Sequence, residues 1–319
     1  MTLIQKNGKE RTFEKAPFPW FGGKSRAAHL VWPRFGDVAN YVEPFAGSLA
    51  VLLKRPHYPF AQTRIETVND RDAFVANFWR AIQSDPGAVV QHADNPVNEA
   101  DLHARHAWLH AQAGLVEKIM SDPKHYDAKV AGYWVYGLST AIGDEFTSPK
   151  KLNSIPQMGS GSGVHRQSLR GCGCCRGRRS GLLSYFRTIQ DRLRGVRVSC
   201  WNWTRVCSPM VTTYHGLTGI LFDPPYSQDH GCATVYGENH ERTTSAEVRN
   251  WCIDRGEDKQ LRIALCGYDT EHGEMEAHGW TVVSWKAAGG YGSQRKDKSN
   301  QNKNRERIWF SPHCLKATD

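Results

Sequence analysis

The sequence predicts an α/β protein in which a doubly wound, mainly parallel sheet is interrupted by a helical insert. Short apolar strands alternate with helical patterns over residues 40–82, an order that is typical of parallel sheets. The pattern becomes helical at about residue 84, and strands return at about residue 196. Residues 280–285 and 307–310 are suited to an antiparallel pair that ends the sheet. We therefore expect a sheet domain that is split in the sequence.

The first 83 residues contain two units of strand and helix. Residues 17–24 combine prolines with glycines, which predicts a structured loop, and a basic helix is predicted over residues 25–33. Residues 40–53 predict a short strand, a tight turn and the beginning of an apolar helix. Residues 65–70 predict a second strand, and residues 72–82 predict a helix because apolar side chains recur there at helical spacing.

The middle of the chain, residues 84–195, is predicted to be mainly helical and to end in a helix at residues 182–193. A segment of glycine and serine interrupts it at residues 159–163. Further strands are predicted at residues 196–201, 219–222 and 261–266. The predicted organisation is a sheet domain formed by residues 1–83 and 196–319, with residues 84–195 inserted between its two parts.

Composition and charge exclude several classes of protein. Of the 319 residues, 39% are hydrophobic and 23% are charged, which is typical of globular chains and not of disordered or fibrous ones. No apolar run approaches the roughly 18 residues of a membrane span, and the polar residues 1–15 do not resemble a secretory signal. The formal net charge of +9 suits an anionic partner such as a nucleic acid. The nine cysteines form no disulfide framework, so we expect a reducing compartment.

Two predicted strands end in residues that suit a nucleoside ligand. Ligands of α/β sheets bind at the carboxyl ends of the strands, where the sequence EPFAGS stands at residues 43–48. Gly47 allows close approach of the backbone, and the helix predicted behind it favours an anionic group. Asp70 ends the next strand, where an acidic side chain can accept both ribose hydroxyls. A tight turn with a helix cap is the alternative interpretation of these residues.

The sharpest signal is the sequence DPPY at residues 223–226, directly after an apolar strand. Two prolines remove two backbone donors, so their carbonyls and the Asp223 carboxylate remain as acceptors at one place. An exocyclic amine with two N–H donors fits these acceptors, and Tyr226 offers a flat face on which a base can stack. The alternative is a rigid turn that ends the strand, but the nucleoside-type residues upstream favour a functional site.

Four segments resemble those of the Dam-type DNA adenine methyltransferases: PWFGGK at residues 19–24, EPFAG at residues 43–47, ND at residues 69–70 and DPPY at residues 223–226. Their order also matches, since a long insert precedes the last segment. The similarity covers roughly the first 80 residues and residues 196–311. It implies a methyltransferase-type, Rossmann-like sheet with an antiparallel last strand and a helical target-recognition insert. It also implies methyl transfer from S-adenosylmethionine to the exocyclic amine of adenine in double-stranded DNA by base flipping.

The resemblance implies roles for individual residues. Trp20, Gly22, Gly23 and Lys24 would border the methionine part of the cofactor, with Lys24 near its carboxylate, and Asp70 would hold the ribose. Asn202 stands where the family often has an acidic residue near the cofactor adenine. The implied catalytic residues are Asp223, Pro224, Pro225 and Tyr226, and the implied cofactor-binding residues are Trp20, Gly22, Gly23, Lys24, Glu43, Phe45, Gly47, Asp70, Asn202 and Asp223. Ser48 and Leu49 depart from the common Gly-x-Gly pattern.

Clusters of basic residues and cysteines lie outside these segments. Five arginines interleaved with glycine are predicted to contact DNA phosphates: Arg166, Arg170, Arg176, Arg178 and Arg179. The basic loop at residues 295–307 is a second candidate for DNA contact. Cys172, Cys174 and Cys175 lie near His165, but their spacing is not that of paired zinc-binding motifs, so no metal is predicted.

Several alternatives to adenine methylation in DNA remain open from the sequence. The same acceptors suit the exocyclic amine of cytosine, or of a base in RNA. A catalytically silent regulator that binds DNA is a third possibility, which the intact residues 223–226 and Lys24 disfavour. A nicotinamide-dependent oxidoreductase is disfavoured because the first turn lacks the Gly-x-Gly-x-x-Gly sequence. We expect a monomer that acts on double-stranded DNA in the cytoplasm of a bacterium or a phage-infected host, with or without a partner restriction enzyme.

Overall fold

The computed structural model describes most of the sheet domain and part of the helical middle. The described residues are 16–20, 23–56, 62–112, 114–122, 124–141, 146, 179–226, 241–286 and 304–317. Within these residues, no helix is both long enough and apolar enough to cross a membrane.

Seven strands form one sheet in the described part of the chain: β1 (Asn40–Glu43), β2 (Ile65–Asn69), β3 (Val196–Ser199), β4 (Thr218–Phe222), β5 (Leu261–Tyr268), β6 (Thr281–Ser284) and β7 (Glu306–Phe310). Their spatial order is β3-β2-β1-β4-β5-β7-β6. The strands from β3 to β5 in this order are parallel, and β7 runs antiparallel to both of its neighbours. This arrangement confirms the predicted doubly wound sheet and its antiparallel last strand.

Eight α-helices connect or cover these strands in the described residues: α1 (Ala28–Phe35), α2 (Ala73–Ser84), α3 (Pro86–Ala93), α4 (Glu99–His110), α5 (Leu115–Ser121), α6 (Ala128–Thr140), α7 (Arg179–Leu193) and α8 (Glu241–Arg255). Side-chain caps begin several of them because a helix leaves its first N–H groups without partners. The carboxylate of Asp72 accepts from the Phe74 amide at 2.8 Å at the start of α2. Asp127 caps α6 in the same way, accepting from the Val130 amide at 2.9 Å.

Alternating side chains divide the core into two parts, one on each face of the sheet. On one face, Tyr41 and Leu221 belong to a core that also contains α1, α2, α3, α4, α6 and α7. On the other face, Val42 and Phe222 pack with α8 and with the 3-10 helix Trp203–Cys207. Because the neighbours Tyr41 and Val42 point to opposite cores, both faces of the sheet are covered, as expected for a parallel sheet.

The helices of the middle region share the core of the sheet domain. The ring of Trp134 in α6 lies 5.7 Å from that of Phe78 in α2, and Phe186 in α7 lies 6.0 Å from the same Phe78 ring. At the end of α7, the buried Arg192 guanidinium donates to both carboxylate oxygens of Glu66 in β2, at 2.6 and 2.7 Å. These contacts fix α6 and α7 against the sheet. The DNA-recognition role of residues 84–195 stays a prediction.

The prediction of a helix after Gly47 is wrong. The chain instead makes a series of turns and then a single 3-10 helix, Leu52–Lys54. Both Gly47 and Leu49 have positive φ, at 45° and 53°, which interrupts any α-helical path. The expected helix N-terminus for an anionic group is therefore not formed here.

Candidate active site

The ends of several strands bring polar side chains to one edge of the sheet. Asp70 follows β2 and Asp223 follows β4, so the parallel strands direct both residues to their common carboxyl edge. Because β7 is antiparallel, its first residue lies at this same edge, where Glu306 pairs with Tyr268 at the end of β5. The edge therefore combines residues from distant parts of the sequence.

Asn69, the last residue of β2, joins the neighbouring strand ends. Its side-chain amide donates to the carbonyls of Pro44 and Trp201, each at 3.0 Å, and its Oδ1 accepts from the Trp201 amide at 3.1 Å. Its main-chain carbonyl accepts from the Ala46 amide at 2.8 Å. These bonds fix the segments after β1 and β3 relative to β2.

Gly47 brings the backbone of the segment after β1 against an aromatic ring. Its amide donates to Asp70 Oδ2 at 2.9 Å, and its carbonyl accepts from Trp79 Nε1 at 2.9 Å. A Cβ atom on Gly47 would lie 2.5 Å from Trp20 Nε1, and the φ of 45° is itself unfavourable for other residues. The site therefore requires glycine at this position.

The Asp70 carboxylate lies buried between the segments that follow β1 and β2. Oδ2 accepts from the Gly47 amide, and Oδ1 accepts from the Asp72 amide at 2.9 Å. Burial raises the pKa of Asp70 to about 7, and the neighbouring Asp72 carboxylate adds to this rise. The contact of Asp70 with a ribose stays a prediction.

Asp223 forms an ion pair with a buried lysine. Lys24 begins the 3-10 helix Lys24–Arg26, and its Nζ lies 2.9 Å from Asp223 Oδ1. The Lys24 side chain is 5% exposed and that of Asp223 is 23% exposed, so only the carboxylate reaches the surface of the site. Burial alone would lower the pKa of Lys24, but the carboxylates of Asp223 and Glu306 outweigh this effect and raise the pKa above its usual value. The ammonium therefore stays charged.

Tyr226 is fixed by two neighbours at the same edge. Its hydroxyl donates to Glu306 Oε2 at 2.8 Å, and its ring makes an edge contact with Tyr268 at 4.6 Å between centroids. Lys24 Nζ lies 5.1 Å from the centre of the Tyr226 ring and 3.9 Å from Glu306 Oε2. Burial raises the pKa of the Tyr226 phenol, so it remains a hydrogen-bond donor.

An exposed aromatic ring follows β3. Trp201 is 45% exposed, and the guanidinium of Arg205 lies over its ring at 4.7 Å. Asn202 Oδ1 accepts from the amide of Thr204 at 3.0 Å and from its hydroxyl at 2.8 Å, so this side chain caps the 3-10 helix Trp203–Cys207. The contact of Asn202 with an adenine stays a prediction.

Glu43 and Phe45 lie on either side of the turn after β1. Glu43 is buried, and its Oε1 accepts from the Tyr41 hydroxyl at 2.6 Å and from the Leu52 amide at 2.8 Å. Burial raises the pKa of Glu43 to about 8. Phe45 is half-buried, and its ring lies 6.5 Å from that of Trp203. Glu43 therefore holds the backbone after β1 through its hydrogen bond with Leu52. Phe45 lies at the carboxyl edge of the sheet.

Residues 20–138 match the D12 class of N6 adenine-specific DNA methyltransferases, and this segment contains Lys24, Gly47 and Asp70. The match covers 119 of the 319 residues and ends within the helical middle of the chain. The comparison with curated proteins gave no match. This match confirms the predicted family and enzyme class, and it favours adenine over cytosine as the methylated base.

The methyltransferase brings most of its predicted site residues to the sheet edge. The described members are Trp20, Gly23, Lys24, Glu43, Phe45, Gly47, Asp70, Asn202, Asp223, Pro224, Pro225 and Tyr226. Gly22 lies outside the described residues, as do Arg166, Arg170, Arg176 and Arg178, the side chain of Arg179, and Cys172, Cys174 and Cys175. In the described part of the chain, no group of three or more metal-ligating side chains is found.

Sequence analysis of the methyltransferase missed Glu306 and Trp285 as site residues, and it included Asn69 in a motif without giving it a role. Trp285 follows β6, and its ring lies 5.6 Å from Lys24 Nζ. The signal for Glu306 was present, because the antiparallel pair was predicted and an antiparallel last strand begins at the carboxyl edge of its neighbours. The side-chain contacts of Asn69 with two other strand ends have no signal in a single sequence.

Proposed function

We propose that this methyltransferase transfers the methyl group of S-adenosylmethionine to the N6 amine of an adenine that is flipped out of double-stranded DNA. The observation that carries the proposal is the position of Asp223. Its partly exposed carboxylate follows the central strand β4 and is paired on its buried side with Lys24 at 2.9 Å. A polar group held in this way can accept a hydrogen bond from an amine without rearranging during the reaction.

The residues at the sheet edge fit S-adenosylmethionine. Asp70 offers a carboxylate for the ribose hydroxyls at the end of β2, and Trp201 offers an exposed ring for the adenine at the end of β3. Phe45 supplies a half-buried apolar surface between them. We propose that these three residues hold the cofactor, with Gly47 keeping the backbone close to Trp20. Lys24 is paired with Asp223. We therefore propose that it holds the carboxylate of this catalytic residue, in addition to its predicted contact with the methionine part of the cofactor.

The cofactor supplies an activated methyl group on a sulfonium, which is already a good leaving group. The protein therefore has to align the amine rather than activate it. The Asp223 carboxylate and the Pro224 carbonyl accept the two amine hydrogens, which orients the nitrogen lone pair away from both acceptors. Proline at positions 224 and 225 removes backbone N–H groups that would repel the amine.

Tyr226 completes the site for the target base. Tyr226 is 9% exposed, and its hydroxyl and ring are held by Glu306 and Tyr268. We propose that the exposed part of the ring contacts the flipped adenine, and that the fixed ring orientation limits the position of the base. The insert, residues 84–195, and the five arginines from Arg166 to Arg179 would bind the surrounding duplex.

The substitution Asp223→Asn tests this proposal because it keeps the side-chain size and removes the charge. With tritiated S-adenosylmethionine and duplex DNA, we expect kcat to fall by about 100-fold or more, while cofactor affinity stays within about threefold. Asp254→Asn, an exposed aspartate of α8, is the matched control and should leave kcat unchanged.

Asp223→Asn leaves Lys24 without its nearest carboxylate, so folding has to be measured separately. The double variant Asp223→Asn with Lys24→Met removes both charges and should restore any loss of thermal stability without restoring activity. Near-normal turnover of Asp223→Asn would overturn the assignment of Asp223. Cofactor binding by the wild-type protein without transfer to any duplex would contradict the proposed reaction.

A further inference from the structure

Glu306 is a buried carboxylate in the site to which neither the sequence motifs nor the family match assigns a role. It is the first residue of β7 and is 5% exposed. The antiparallel direction of β7 places it opposite Tyr268, at the edge where Asp223 and Tyr226 lie. The segment of the chain that matches the family, residues 20–138, does not include it.

The contacts of Glu306 connect two residues of the catalytic site. Its Oε2 accepts the Tyr226 hydroxyl at 2.8 Å and lies 3.9 Å from Lys24 Nζ. Lys24 in turn holds Asp223 at 2.9 Å. One carboxylate thus faces both the aromatic ring and the cation of the site.

Burying a carboxylate at this position costs desolvation free energy that an apolar side chain would not. Burial raises the pKa of Glu306, and the Asp223 carboxylate acts in the same direction, while Lys24 and the Tyr226 hydroxyl lower it. Buried charges are often replaced by apolar side chains without loss of stability, so packing alone does not explain an acid here. An acceptor for a phenol hydroxyl does explain it, because a carboxyl oxygen accepts the Tyr226 hydroxyl at 2.8 Å and an apolar side chain could not.

We propose that Glu306 is a positioning residue that sets the orientation of the Tyr226 ring, and with it the place of the target base. This inference rests on the proposed function, because the base is an adenine only if that proposal holds. Glu306 acts through Tyr226 and touches neither the methyl donor nor the reacting amine. Its effect is therefore on kcat and on base placement, and the binding of the cofactor is independent of it.

Three variants separate this role from simple structural support. Glu306→Leu removes the acceptor, Glu306→Gln keeps an acceptor oxygen without the charge, and Tyr226→Phe removes the donor. We expect kcat to fall by about 10-fold to 100-fold in Glu306→Leu, with the KM and Kd for S-adenosylmethionine within about threefold of wild type. Glu306→Gln should recover a large part of this loss. Glu276→Gln, an exposed glutamate, is the control and should behave as wild type.

A double-mutant cycle between Glu306 and Tyr226 tests the proposal most sharply. If Glu306 acts through the Tyr226 hydroxyl, the double variant Glu306→Leu with Tyr226→Phe should be no slower than Tyr226→Phe alone. Additive losses would overturn the proposal, as would a folded Glu306→Leu protein with kcat within twofold of wild type. A joint fall in melting temperature and cofactor affinity would assign Glu306 a structural role instead.

A measurement without activity distinguishes this proposal from the proposed function. In protein labelled with ¹³C-tyrosine, the Tyr226 ring signal is identified by its absence in Tyr226→Phe. We expect this signal to shift in Glu306→Leu and to stay close to its wild-type position in Glu306→Gln. An unchanged signal in Glu306→Leu would overturn the proposal even if the enzyme methylates adenine, and a wild-type protein that transfers no methyl group would refute only the proposed function.

Discussion

At the residue scale, the site is built around carboxylates that burial makes less acidic. The pKa of Glu43 is raised to about 8, that of Asp70 to about 7 and that of Asp72 to about 6, in each case mainly by burial. Each accepts a backbone hydrogen bond: Glu43 from the Leu52 amide, Asp70 from the Gly47 amide, and Asp72 from the Phe74 amide at the start of α2. These acids therefore fix the shape of the site at a cost in stability when they are ionised.

Glu43→Gln should stabilise the protein increasingly as the pH rises. The folded pKa of about 8 exceeds the usual 4.5, so the proton is favoured in the folded state. The wild type is then most stable relative to the variant below pH 4.5, and it loses up to about 1.4 kcal/mol per pH unit between about pH 5 and 8. Glutamine keeps an oxygen for Tyr41 and Leu52 and does not titrate.

Denaturant unfolding of both proteins at pH 5, 6.5, 8 and 9 measures this difference. The gap in unfolding free energy should grow up to about pH 8 and stay constant above it. A gap that is independent of pH would show that Glu43 is ionised in the folded protein throughout this range.

At the element scale, the segment between β1 and the 3-10 helix Leu52–Lys54 forms one side of the proposed cofactor site. Asn69, Asp70 and Trp79 bind its backbone, and the ring of Trp20 lies against Gly47. Tertiary hydrogen bonds replace the helical ones in this segment. Its conformation therefore depends on residues in or next to β2 and α2. It cannot be predicted from residues 40–53 alone.

Gly47→Ala should damage this segment without unfolding the sheet. The added Cβ would lie 2.5 Å from Trp20 Nε1, and the φ of 45° is strained for alanine. We expect a loss of about 1–3 kcal/mol of stability and weaker binding of S-adenosylmethionine. Gly195→Ala is the matched control, because a Cβ there has no atom within 4 Å.

Thermal unfolding and equilibrium dialysis with the cofactor check both effects. The control variant should equal the wild type in melting temperature and affinity. Equal affinities of the Gly47 and Gly195 variants would contradict a cofactor site beside this segment.

Elements that local sequence patterns determine were predicted correctly, and those that depend on contacts between distant residues were not. Strands such as β4 and β5 are recognisable because their apolar runs are buried on both faces, which is a local property of the sequence. The helix after Gly47 was predicted wrongly because its apolar residues satisfy a helical pattern while long-range contacts impose turns. The position of Glu306 at the sheet edge follows from the predicted antiparallel pair, but its contact with the Tyr226 hydroxyl, 80 residues away in the sequence, has no local signal.

At the scale of the whole molecule, the net charge of +9 and the family both agree with a DNA substrate. The chain combines a site of buried acids with an excess of basic residues elsewhere. A positive surface around a site raises the rate of encounter with DNA and gives affinity that depends on salt. The arginines predicted for this contact lie in the insert.

Replacing Arg166, Arg170, Arg176 and Arg178 with glutamine should weaken DNA binding without changing cofactor affinity. Each lost phosphate contact reduces the slope of log K against log salt by about 0.9 for duplex DNA. Fluorescence anisotropy with a duplex between 50 and 300 mM salt measures this slope. The same slope in the variant and the wild type would show that these arginines do not contact phosphates.

Sequencing of cellular DNA directly tests whether the site that contains Asp223 transfers a methyl group to adenine. The wild-type protein and Asp223→Asn are expressed in a host that lacks its own DNA methylation, and the host DNA is then sequenced with detection of modified bases. We expect N6-methyladenine within one short sequence motif for the wild type and none for the variant. Methylated cytosine, or the same adenine methylation in both samples, would contradict this expectation.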